Sequence, residues 1–253
     1  QKAPRQRSYQ NVIAIRQNIK NWNWSVDVFH RISQNQIENI INASFSQKGN
    51  WENSIISGGV GRAYGVEFYV SKKINDFNVS ASYNLSKSER KFETLNRGQW
   101  YPYTYDRRHD VSLLLSYKIN KKWDVSMTWA YGSGRPFTKS DLIYPSLGLV
   151  DYYKDKSEES NFLNSSNQQI QYFEQRNNKK LRAYHHLDIG ANYKWQKGKW
   201  KQSVNLSLYN VYNHKNVFTL FDKTSGVGEN MRFKYQSLTL LPLLPSFSYA
   251  IGF

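Results

Sequence analysis

The chain has 253 residues, a formal charge of +16, no cysteine and an aromatic content of 16% dominated by Tyr. The lack of Cys excludes disulfide frameworks and thiol chemistry. No run approaches the ~20 consecutive apolar residues of a membrane helix. The negative mean hydropathy therefore excludes a helical membrane protein, but not a β-barrel, whose lumen and loops are polar.

The start, QKAPRQRSYQ, shows neither a charged segment followed by an apolar core nor a cleavage site. The expectation is a removed signal peptide or a piece of a longer chain. Residues 7–18 predict a first strand around Val12, Ile13 and Ile15. After a turn at Lys20-Asn21, residues 24–37 alternate Trp24, Val26, Val28 against Ser25, Asp27, Phe29. A polar loop is expected over 42–57. The stretch 58–73, GGVGRAYGVEFYVSKK, alternates Val66, Phe68, Val70 against Glu67, Tyr69, Ser71. Its glycines precede a strand rather than open a helix, so a dinucleotide site is excluded and a bulge or close packing is expected.

Beyond a turn at Ile74-Asn75-Asp76, residues 77–91 set Phe77, Val79, Ala81, Tyr83, Leu85 against Asn78, Ser80, Ser82, Asn84. A loop rich in Trp and Tyr is expected over 92–104. The hairpin YDRRHDVSLLLSYKINKKWDVSMTWAYGSGRPFT (105–138) then places Val111, Leu113, Leu115, Tyr117 and Trp123, Val125, Met127, Trp129, Tyr131 on one face. Period-two alternation of this length predicts two antiparallel strands. The apolar face is aliphatic in mid-strand and aromatic near its ends, as in a membrane barrel.

A long loop is expected over 139–179, followed by strands over 181–195, over 200 to about 221 and over 233–253, with a glycine-containing loop at 222–230. About nine strands result. Connections near residues 20, 75, 120 and 197 are short, and those near 50, 98, 160 and 226 are long. Strict alternation of short and long connections is the mark of outer-membrane barrels with periplasmic turns and longer extracellular loops; a soluble sandwich has no reason for it. The predicted fold is all-β, an antiparallel transmembrane barrel. Bacterial barrels of this class are even-stranded, so an odd count predicts that the chain is the C-terminal portion of a larger one. Two unpaired edges in lipid point the same way.

Much of the basic excess lies in the short turns, at Lys72-Lys73, Lys118, Lys121-Lys122 and between Lys194 and Lys201. Neither a basic helix nor an RNA-binding sheet motif accompanies it, so no nucleic-acid partner is expected. Asp106, His109 and Asp110 invite a catalytic or metal reading. On an extended strand the two carboxylates would lie roughly 13 Å apart with the imidazole on the other face, so a structural strand-start role is expected. His185 and His186 likewise fall on opposite faces. No nucleophile–base pair, metal set or cofactor site is read, and the chain is not expected to be an enzyme.

Asp27, Glu67, Asp110, Asp124 and Asp188 fall on the presumed inward face, where they can meet a plug, a cation or a substrate. Solvation in a polar lumen, with neutralisation by Lys194 or Arg31, is the simpler role. Trp100, Tyr101, Tyr103, Tyr144, Tyr152 and Tyr153 are the candidate ligand residues, since rings at a barrel mouth can stack on sugars, siderophores or peptides. Self-packing of the loops, or contact with a surface lipoprotein, competes with that role.

The runs GGVGRAYGVEFYVSKK, YDRRHDVSLLLSYKINKKW, WAYGSGRPFT, LSLYNVYNHKN and LPLLPSFSYAIGF, in this order over residues 58–253, closely resemble the C-terminal barrel of TonB-dependent outer-membrane receptors, particularly the Bacteroidetes type. The ending looks closer to receptors of that phylum other than the glycan importers. The resemblance implies about nine C-terminal strands of a barrel of about 22 strands around a globular plug. It implies uptake of a nutrient energised by the TonB complex, contacted through the N-terminal part of the receptor, in the outer membrane and among its lipids. The plug and the TonB-contacting box have no counterpart in this sequence. A passive porin-like channel and a soluble glycan-binding β-protein remain the alternative functions.

Overall fold

The computed structural model describes residues 4–39, 55–145, 169–225 and 232–253. Its backbone is one antiparallel meander. We number the wall strands β1 (Arg7–Ile19), β2 (Trp22–Asn39), β3 (Ile55–Ile74), β4 (Phe77–Lys91), β5 (His109–Lys118), β6 (Trp123–Gly132), β7 (Tyr184–Lys197), β8 (Trp200–Tyr209) and β9 (Leu244–Gly252). Each pairs with the next in sequence, from β1 through to β9. Among the described residues the sheet does not close: β1 and β9 each have one unpaired edge.

Register turns the alternation of single strands into two continuous faces. Val79, Leu115, Met127, Ile189 and Leu208 are direct cross-strand neighbours in one line over five strands. The adjacent line on the other face reads Asn78, Ser116, Ser126, Gly190, Ser207 and Ser246. A slip of one residue in any strand would put its apolar set among these serines, which is why the pattern fixes the register so firmly. Among the described residues, nothing packs against the apolar face. Ile13 is 76% exposed and Phe247 66%, and a contiguous apolar patch of this extent demands lipid or protein against it.

Two aromatic girdles bound that face. Toward the short turns Phe77 and Tyr117 lie 4.8 Å apart, and Trp123 and Tyr193 4.7 Å. Toward the long loops Trp129 stacks on Tyr131 at 6.1 Å, and Tyr83 donates its hydroxyl to, or accepts from, His109 Nδ1 at 2.9 Å. Eight residues separate Trp123 from Tyr131 on β6, about 26 Å at strand rise. A barrel's apolar band is about 25 Å tall.

Turn chemistry explains the short end. Lys20 and Asn21 both take positive φ (46° and 67°), as a two-residue turn matching the strand twist requires. Asn120 Oδ1 accepts from the amides of Lys122 (2.8 Å) and Trp123 (3.0 Å). Two glycines of β3, Gly59 and Gly65, mark close packing: the ring of Phe92 fills the place where a Cβ on Gly59 would stand.

Three connections depart from expectation. The strand expected over 200 to about 221 breaks after Tyr209, and the one expected over 233–253 breaks around Leu241. The pieces cut off, Val217–Ser225 and Arg232–Thr239, form a separate hairpin off the wall. The breaks coincide with positive φ at Asn210, Asn213 and Leu241 (53°, 53° and 58°). The region 139–179 begins and ends as paired strands, with Leu142–Pro145 on Gln169–Tyr172, while Pro136–Phe137 just ahead of it pairs with Lys179–Lys180. In the region 92–104, Tyr101–Pro102 turns back to pair with Glu89 and Arg90 of β4.

Candidate functional site: the polar face and the loop-side mouth

The five carboxylates expected on the inward face all lie on the polar face of the sheet. Asp27 stands directly opposite Glu67, Glu67 opposite Asn84, and Asn84 opposite Asp110. Like charges placed directly across a ladder repel, so partners matter here. Arg16 holds Asp27 at 3.1 Å and Arg107 holds Asp110 at 3.3 Å. Glu67 has no ion pair among the described residues, and the buried Oδ1 of Asn84 beside it accepts no hydrogen bond. Further along, Lys194 neutralises Asp124 at 2.7 Å. Arg31 instead binds the Gln10 side chain. Asp188 accepts from His186 Nδ1 at 2.8 Å and from the Asn210 amide at 2.9 Å. His185 points to the other face, with its ring 3.7 Å from that of His214.

Asp106 and Asp110 do not share an extended strand: β5 starts at His109, and Asp106 lies in the turn before it. Buried there, Asp106 accepts the Ser88 amide at 2.6 Å and so pins the loop to β4. Burial pushes its carboxyl above the ordinary range, against the pull of that hydrogen bond and of Arg108. Among the described residues, no three His, Asp or Glu side chains converge as a metal set.

The end of β2 and two of the long connections meet around Glu38, which is 9% exposed. Arg90 reaches it at 3.1 Å and Arg176 at 3.4 Å, and the Tyr101 hydroxyl donates at 3.4 Å. Arg176 also donates to Asn39 O at 2.7 Å, while Asn177 Nδ2 donates to Pro102 O at 2.7 Å. The end of β2, the 92–108 loop and the returning arm before β7 are thus joined through one buried carboxylate.

The aromatic candidates divide in this setting. Tyr101 is 1% exposed; burial and the charge of Glu38 drive its phenol well above the ordinary pKa. Its ring is part of the loop interior and offers no free face. Trp100 lies under the Arg62 guanidinium at 4.2 Å, and Tyr103 under that of Arg90 at 3.7 Å and edge-on to Tyr105 at 5.3 Å. Tyr144 belongs to the strand Leu142–Pro145, and Tyr152 and Tyr153 lie outside the described residues.

A recess of about 360 Å³ opens on the polar side of the same mouth, lined by Arg107, Arg135, Arg182, Tyr184, Tyr209 and Phe218 among others. Sequence reasoning missed it, because its arginines come from two separate connections. The available signal was a basic residue beside each strand end, in DRRHD, GSGRPF and KKLRAY.

Nine consecutive antiparallel strands with one lipid-type face, one polar face and loops gathered at one end define a segment of β-barrel wall. Residues 6–213 match the family described as TonB dependent receptor-like, beta-barrel, and the chain belongs to that family. Solved structures agree in fold. The ferric-catecholate import receptor Fiu from Escherichia coli K12 aligns with 97% of this chain at 14% identity and a TM-score of 0.55. The FrpB iron transporter of Neisseria meningitidis aligns with 99% at 12% identity and 0.53. The siderophore receptor PirA of Acinetobacter baumannii aligns with 83% at 12% identity and 0.51. The chain spans about a third or less of each, namely 27%, 32% and 28%. None of the curated proteins matches its sequence.

Proposed function

We propose that this chain is the C-terminal portion of the barrel wall of an outer-membrane receptor that imports a nutrient (a siderophore, glycan, peptide or similar) with energy from TonB. The observation that carries this reading is the two-faced sheet, apolar and girdled on one side, polar on the other, with an unpaired edge on both β1 and β9. Such edges in hydrocarbon would leave a row of N–H and C=O groups unsatisfied. The remaining strands of the same receptor supply the missing partners. Its plug fills the lumen against Asp27, Glu67, Asp110, Asp124 and Asp188, and the TonB complex acts through that part. The sequence runs quoted above support the Bacteroidetes type, and the clustered loops suit a surface lipoprotein as a lid. Trp100, Tyr103 and Tyr144, with Tyr152 and Tyr153, are the ligand-contact candidates, and Tyr101 supports them from below. The chain performs no chemistry on its ligand.

The test is uptake by cells carrying the intact receptor, with and without TonB. Accumulation that disappears without TonB, while surface binding persists, is expected. Equal passage in both strains would select the passive channel instead.

A further inference from the structure

We propose that the short-turn rim of the wall binds the phosphate headgroups of anionic glycerophospholipids and so selects its lipid neighbours in the leaflet it meets. The inference rests on the membrane-wall reading above and names the lipid class at one end of that wall.

The charge at this end is lopsided. Residues 20–21, 72–76, 118–124 and 194–201 hold ten lysines against two carboxylates, Asp76 and Asp124. Asp124 is taken by Lys194 at 2.7 Å, and among the described residues no other of these lysines has an ion pair. The loop-side end differs. There Glu89 holds Arg62 and Lys87, both at 2.7 Å, and Glu38 holds Arg90 and Arg176. The short turns are also fastened to one another. The Lys118 amide donates to Asp76 O at 3.0 Å, and the Lys194 amide to Lys122 O at 2.8 Å. The unpaired ammonium groups therefore form a row along the end of the sheet rather than scattered points.

Register decides which of them meet lipid. Lys72 stands directly across from Trp22 on one side and Val79 on the other, and Lys197 stands across from Trp200, so both lie on the apolar face. The Lys72 ammonium sits 4.3 Å over the Trp22 ring. Amphipathic indoles settle at headgroup level, and lysines bury their stems while keeping the charge there. An ammonium is a compact point charge, suited to the single negative charge of a phosphate diester. A zwitterionic headgroup brings its own cation to the same place and gains less. Lys73 and Lys201 instead pair with Asn78 and Gly252 on the polar face, away from lipid.

The experiment reconstitutes purified intact receptor in phosphatidylcholine vesicles and compares spin-labelled phosphatidylglycerol with spin-labelled phosphatidylcholine in the motionally restricted lipid shell. Phosphatidylglycerol is expected to associate about fivefold more strongly, and added salt should reduce the difference. Lys72→Gln with Lys197→Gln should remove most of the preference, and Lys72→Arg with Lys197→Arg should keep it. Lys73→Gln with Lys201→Gln should leave it unchanged. Equal association of the two lipids with the wild type overturns the proposal, as does a preference that ignores salt or survives in the Lys72/Lys197 glutamine pair. A preference lost only in the Lys73/Lys201 pair would assign the lysines to a partner in the lumen and overturn it too. If the glutamine pair does not assemble, the wild-type preference and its salt dependence decide alone. Insertion is scored separately by heat-modifiable folding, so the wall reading stands if only the lipid preference is missing, whereas failure of the wild type to insert would sink both.

Discussion

The side-chain amide of Asn210 donates to the Leu241 carbonyl at 3.2 Å across 31 residues of chain, and this one contact ties together the two places where the wall strands stop. Asn210 is fully buried at 0% exposure. Its Nδ2 also donates to His214 O at 2.9 Å, its Oδ1 accepts the His214 amide at 2.9 Å, and its own amide is held by Asp188. Asn213 Oδ1 repeats the device by accepting the Leu243 amide at 3.1 Å. Asn suits these sites because it tolerates positive φ and carries both a donor and an acceptor.

Asn210→Ala removes three part-buried side-chain hydrogen bonds to backbone groups, each worth about 0.5–1.5 kcal/mol. The intact receptor should lose its heat-modifiable form at a distinctly lower temperature, and protease should cut near residue 217. A melting profile identical to wild type would show that the two breaks are held by something else.

Facing along β5 can be tested by charge insertion. Leu113→Arg, on the line with Ala81 and Trp129, should cost about 2–4 kcal/mol if it lies near the bilayer midplane. Ser112→Arg, one step away on the polar face, should assemble close to normally. Equal yields of folded barrel from the two variants would contradict the assigned faces.

Breaking the loop hub should be severe. Glu38→Ala leaves Arg90 and Arg176 buried without their carboxylate, a defect of about 3–5 kcal/mol. Tyr101→Ala should likewise loosen the mouth, whereas Tyr101→Phe loses only the hydroxyl contact. Limited proteolysis of the 92–108 loop is the readout, and resistance in Glu38→Ala equal to wild type would remove Glu38 from this role.

Asp106 predicts a pH dependence of definite sign. Its folded pKa is raised by burial, so the folded state holds the proton more tightly than the unfolded chain. Its contribution to stability is therefore greatest at low pH. That contribution falls as pH rises from the ordinary Asp value, about 3.9, through the raised one, and is constant above it. Asp106→Asn keeps an oxygen for the Ser88 amide and carries no charge. It should be no less stable than wild type at neutral pH and should lose the Asp106 slope that begins near the ordinary Asp value. A variant much less stable at neutral pH would mean that the charge itself holds the loop.

The wall was legible because register and facing follow from alternation, and runs such as 77–85 or 123–131 alternate without fault. The same signal misled beyond Tyr209. Val211, Val217 and Leu220 keep the stretch apolar, though Val211 and Val217 fall out of the period-two phase of Val204, Leu206 and Leu208, while the break depends on positive φ at Asn210 and on Leu241, a partner 31 residues away. That the five carboxylates share one face follows from alternation, and Lys194 is recognisable as a neutralising charge, but its particular partner, Asp124, is not. Nothing local marked Glu38, whose partner Arg176 lies 138 residues downstream. Tyr101 looked like the other loop rings in sequence, because only the folded arms decide which ring ends inside.

The hub at Glu38 also constrains how such a receptor can change. Its ligands come from the end of β2, from β4, from the 92–108 loop and from the arm before β7, so the surface loops are not independent modules. A graft of one loop from a relative would orphan a buried charge in the others. Exchange of specificity between receptors of this kind should succeed only when Glu38, Arg90, Tyr101 and Arg176 travel as a set, and natural diversity at the mouth should be inherited in blocks.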